Sequence, residues 1–133
     1  MEKSPNESIS RGLRSWFIVH ALADVTFALA LFIAPRKLLE LVGWVSVDPF
    51  ATRLVAAALF GIGIESFLAR NAAVSTYREM LNLKIIWSSC AIAGMIISIV
   101  EGAPAFAWVF VAIFAIFSAA WWYYRIGVVR QSG

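Results

Sequence analysis

The stretch DPFATRLVAAALFGIGIESFLAR, residues 48–70, decides the fold. It is almost wholly apolar and about as long as a helix must be to cross ~30 Å of hydrocarbon, near 20 residues. Its apolar residues run on without the strict alternation a barrel strand needs, so a helix is expected. Asp48 supplies an N-cap, and Pro49 suits a first turn. Arg53 and Glu65 lie inside this run.

Three similar segments surround it. The pattern predicts spans over 13–34, 50–69, 80–100 and 104–124. Pro35-Arg36-Lys37 closes the first, and Pro104 opens the last. The expected fold class is all-α: an integral membrane four-helix bundle with both termini cytoplasmic. Polar tails flank it over 1–12 and 126–133. The long first connection, PRKLLELVGWVSVDP, has room for a brief interfacial helix with Trp44 at headgroup depth.

Composition agrees. Of the 133 residues, 62% are hydrophobic and only 14% charged. A soluble domain runs near half apolar and a quarter charged. So short a soluble chain could not hide that much apolar surface. The net charge of +3 is not clustered as a nucleic-acid footprint would be. One cysteine, Cys90, excludes an intrachain disulfide and a thiolate zinc cluster. One histidine, His20, excludes bis-histidine haem ligation within a chain. No metal site and no cofactor are expected.

Basic residues set the orientation. Lys3, Arg11, Arg14, Arg70, Arg78, Lys84, Arg125 and Arg130 share one side of the expected topology. Arg36, Lys37 and Arg53 share the other. The bias puts both termini in the cytoplasm, here across the plasma membrane of a prokaryote. Trp121-Trp122-Tyr123-Tyr124 reads as an aromatic belt, with Trp16 at the same level.

Charges inside the membrane need partners, because a central one costs about 2.5–3.5 kcal/mol on insertion scales. Glu65 and Lys84 each lie about 6 Å from the cytoplasmic ends of their helices, at a rise of ~1.5 Å per residue. An ion pair between them is one reading, with Asn82 adding a hydrogen bond; snorkelling of Lys84 beside a neutral Glu65 is the other. Asp24 lies deepest, about 16 Å from its cytoplasmic end by the same rise. Arg53 either snorkels outward or reaches in toward Asp24. His20 and Asp24, four apart, share a helix face that suits a ligand site, a proton relay or a polar packing seam. Arg53, Ala57, Gly61 and Glu65 form a face of the second span that is small in the middle and charged at its ends. Gly61 and Gly63 read as packing contacts. Cys90 reads as a small buried apolar residue.

The Pro-Arg turn after the first helix, the Asp-Pro at 48–49 and the run Arg-Leu-Val-Ala-Ala-Ala-Leu-Phe-Gly-Ile-Gly resemble the small four-helix DoxX-like membrane proteins, specifically their uncharacterised groups. The resemblance spans most of residues 13–125. It implies a four-helix bundle with cytoplasmic termini. Relatives of this kind are linked to quinone or thiol redox systems or to assembly. None of their cofactor motifs is identifiable here.

Two functions follow as expectations. One is a non-enzymatic accessory or assembly protein that binds another membrane protein or a second copy. The other is a site in the bundle interior for a small hydrophobic ligand or proton, lined by His20, Asp24, Arg53, Glu65 and Lys84. An enzyme has least support, since only Asp24 stands ready to orient His20 or Cys90. The bilayer is the expected surrounding; nucleic acid is not an expected partner.

Overall fold

A computed structural model describes residues 9–131, and among them all regular structure is helical. Five helices follow in order: α1 (Arg11–Ile33), α2 (Pro35–Leu41), α3 (Pro49–Leu68), α4 (Val74–Val100) and α5 (Ala107–Gln131). A 3-10 turn, Ala69–Asn71, follows α3. Four of the helices are long and apolar enough to cross a membrane. The expected tail over 1–12 falls largely outside the described residues.

Local chemistry explains the helix boundaries. Ser10 caps α1 by accepting from Leu13 N at 3.2 Å. Asp48 caps α3 by accepting from Phe50 N at 2.9 Å, and Pro49 needs no partner there. Pro35 opens α2 rather than merely closing α1; the break is at Ala34, whose ψ of 60° leaves the helical range. The third span starts at Val74, six residues before the expected Met80, so only Ala72 and Ala73 separate it from the 3-10 turn. Its early polar residues are tolerated because Tyr77 is buried, donating its hydroxyl to Arg70 O at 2.6 Å. The fourth starts at Ala107, after a turn at Gly102, whose φ of +104° is the left-handed region that favours glycine.

Packing divides the molecule into two pairs, α1 with α3 and α4 with α5. Near the chain termini one core joins α1, α4 and α5 around Leu13, Phe17, Tyr77, Leu81 and Trp121, with Ala69 of the 3-10 turn after α3. At the opposite end the buried core is Ala28, Leu31, Ala56 and Leu59, from α1 and α3 alone. Every buried residue of α4 lies between Val74 and Ser88. The outer half of α4 therefore stands away from the first pair.

Gly63 lets α1 and α3 come close. A Cβ there would lie 2.8 Å from Asp24 Cβ and 3.3 Å from Ala21 O. Gly61 is different, with nothing within 4 Å of the same position. Of these two glycines, Gly63 is the packing contact within the described residues.

Several aromatic expectations change. Trp121 is 1% exposed and belongs to the core, while Trp122 and Tyr123 face outward. Trp16 packs edge-on against Phe117 and Trp121 at 5.7 and 6.3 Å. Trp44 turns inward toward Phe110, 6.0 Å away, and is half-buried.

Candidate functional site

Lys84 joins the two helix pairs. It leaves α4 with only 1% of its surface exposed. Its Nζ donates to Ser66 Oγ on α3 at 2.6 Å and lies 2.9 Å from His20 Nδ1 on α1. The rings of Phe17 and Trp121 stand 5.0 Å from the same nitrogen. An ammonium has donors and no acceptor, so toward Lys84 the His20 Nδ1 is the acceptor. The proton of a neutral imidazole then sits on Nε2. Ser66 completes the chain by donating to Ile62 O at 2.6 Å.

Asp24, one turn beyond His20, completes the group. Its Oδ2 lies 3.3 Å from His20 Nδ1. That nitrogen already faces Lys84, and Oδ2 is buried without a hydrogen bond. The close approach therefore sets two acceptor atoms side by side and is not a hydrogen bond. Among the described residues nothing satisfies this oxygen, though a buried acceptor left bare costs about 1–3 kcal/mol.

These groups border a cavity of about 220 Å³ between the two pairs. His20, Asp24, Lys84 and Ser88 supply its polar side chains. Its walls include Phe27, Trp87, Phe110, Phe114, Phe117 and Trp121. Trp87 carries a second bare group: its Nε1 is buried with no hydrogen-bond partner. One unpaired acceptor and one unpaired donor thus belong to residues lining the same chamber. A dry apolar cavity of ~150 Å³ is enough to hold benzene, so this one has room for a ring with a small substituent.

Of the six residues singled out by sequence, the fold gathers His20, Asp24 and Lys84. Three stand elsewhere. Glu65 is exposed and forms no ion pair with Lys84, which points across the bundle to His20 and Ser66. Asn82 accepts instead from Arg125 Nε at 2.7 Å. Arg53 does not reach Asp24 and stands exposed. Its Nε donates to Phe32 O at 3.1 Å, satisfying a carbonyl of the last turn of α1. The face Arg53-Ala57-Gly61-Glu65 is exposed throughout; α3 buries Ala56, Leu59, Gly63 and Ser66 instead. Cys90 is exposed rather than buried.

Sequence reasoning missed Ser66, Trp87 and Ser88 as site residues. Ser66 follows the conspicuous Glu65 and lies about 100° around the helix from it. Its three- and four-residue spacing from Gly63 and Ile62 was the available signal. Among the described residues, no group of three or more histidine, cysteine, aspartate and glutamate side chains could hold a metal. Comparison with family models, curated proteins and solved structures finds no match for the chain.

Proposed function

We propose that the chain is an integral membrane protein whose interior binds a small hydrophobic molecule bearing one hydrogen-bonding group. The observation that carries this reading is the pair of bare polar atoms, Asp24 Oδ2 and Trp87 Nε1, on residues lining one aromatic cavity. Buried polar groups are nearly always satisfied, and an occupant with a donor and an acceptor would satisfy both. The His20–Lys84–Ser66 bonds support the site by fixing its polar end. The apolar walls with few polar groups fit a ligand pocket.

In this reading the four long helices span the plasma membrane of a prokaryote as a bundle. The excess of lysine and arginine at the terminal end supports cytoplasmic termini. The DoxX-like resemblance is part of the same proposal. A second reading, a non-enzymatic accessory protein, is favoured by the exposed α3 face. Beyond its own turn of helix, none of the described residues lies within 4 Å of where a Gly61 side chain would begin, so another helix could approach there.

Native mass spectrometry of gently extracted protein tests the choice. A small molecule retained by the natural chain and lost from Asp24→Asn is the expected result. Equal retention by both chains would sink the cavity reading, and a retained protein subunit in its place would favour the accessory role.

A further inference from the structure

The cavity has a neighbour. A groove of about 750 Å³ runs between α3 and the outer half of α4. It shares Phe27, Leu59, Trp87, Phe110 and Phe114 with the cavity, so the two spaces adjoin along those walls. Its remaining lining is almost entirely apolar, with Thr52 and Ser98 as the exceptions. It runs along the stretch of α4 beyond Ser88, where that helix has no buried residue.

The polar end limits the head group. Lys84 is committed to Ser66, His20 and two aromatic faces, so an anionic head meets no unengaged ammonium. A cationic head would add a second buried positive charge beside Lys84, which is costly without a further partner. A hydroxyl fits: it donates one hydrogen bond and accepts others, matching a bare carboxylate oxygen and a bare indole N–H. The chamber of about 220 Å³ has room for such a head and the first several carbons attached to it, and the groove continues beyond it.

Resting on the binding reading above, we infer that the natural occupant is a single-chain amphiphile with an uncharged hydroxyl head, its head between Asp24 and Trp87 and its chain lying in the α3–α4 groove. The ligand then enters sideways from the bilayer, and no aqueous mouth is needed. Cys90, the sole cysteine, and Gly94 both line the groove and report on its contents.

The test uses full-length protein in phosphatidylcholine nanodiscs, with 1-hexadecanol as the chained probe and benzyl alcohol as the compact one. Tryptophan emission reads cavity binding, and the rate of Cys90 modification by N-ethylmaleimide reads the groove. Hexadecanol is expected to slow Cys90 modification about tenfold in the natural chain and not in Asp24→Asn. Trp87→Phe replaces that variant if Asp24→Asn does not fold. Gly94→Leu, which puts a side chain where a Cβ meets nothing within 4 Å, is expected to weaken hexadecanol about tenfold more than benzyl alcohol. If benzyl alcohol binds in an Asp24-dependent way but hexadecanol leaves Cys90 unprotected, the chained ligand is wrong and the cavity reading survives. If neither alcohol binds, both fall. Protection that persists in the head-group variants also overturns the inference, because it marks simple partitioning into the bilayer.

Discussion

Lys84 of α4 and His20 of α1 meet at 2.9 Å, sixty-four residues apart in sequence, and tie one helix pair to the other. Ser66 of α3 joins the same nitrogen, so three of the four long helices converge on one ammonium. Their order along the chain makes it a clamp between pairs rather than a link within one.

The clamp is open to test by removal. Lys84→Ala is expected to destabilise by about 1–3 kcal/mol, because it leaves the buried His20 Nδ1 and Ser66 Oγ without their donor. The loss should appear as a lower midpoint when the detergent-solubilised protein is heated and followed by size exclusion. A shift under two degrees would deny the clamp its role.

Ser66 and Glu65 form a contrasting pair of neighbours. Ser66→Ala removes a hydrogen bond to a charged group and is expected to cost about 1.5–3 kcal/mol. Glu65→Gln touches no partner and is expected to stay within about 0.5 kcal/mol of the natural chain. Comparable losses from both would mean that Glu65 pairs with Lys84 after all.

Two glycines two residues apart should respond in opposite directions. Gly63→Ala drives a methyl against Asp24 Cβ and is expected to cost about 1–3 kcal/mol. Gly61→Ala meets open space and is expected to raise stability by about 0.5–1 kcal/mol through the better helix propensity of alanine. Thermal midpoints of the two variants, measured side by side, decide the matter.

Trp87→Phe separates binding from stability. The indole N–H is buried and unpaired, so its loss is expected to leave the thermal midpoint unchanged or slightly higher. Affinity for benzyl alcohol is expected to fall about tenfold, near the worth of one hydrogen bond. A variant that loses stability with unchanged affinity would place the N–H in the fold's own network.

How much of this was legible beforehand follows from what each signal reports. Long apolar runs and the Asp48-Pro49 cap give helix type almost unaided, since hydrocarbon demands length and capping is local. Where α4 begins was harder. Ser75, Thr76, Arg78 and Glu79 read as a loop, yet burial of Val74 and Tyr77 draws that stretch into the helix. Depth marked His20, Asp24 and Lys84 as residues needing partners, and the fold brings the three together. Depth says nothing of azimuth, however, and azimuth decides who meets whom. Glu65 and Ser66 share a level within one residue, but only Ser66 faces inward. The Arg53 bond was not legible for a related reason, because a backbone carbonyl at Phe32 leaves no trace in the side-chain pattern.

The position of Lys84 also bears on how the protein is made. Helices α4 and α5 alone would carry an ammonium with neither Ser66 nor His20 to receive it. In a bilayer that lone cation is costly. Were the four helices to cross a bilayer, a chain that lost α1 or α3 would thus carry in α4 an ammonium missing one of its two hydrogen-bond partners. Lys84 makes completion of the bundle self-certifying: only when both hairpins are present does the charge disappear from view.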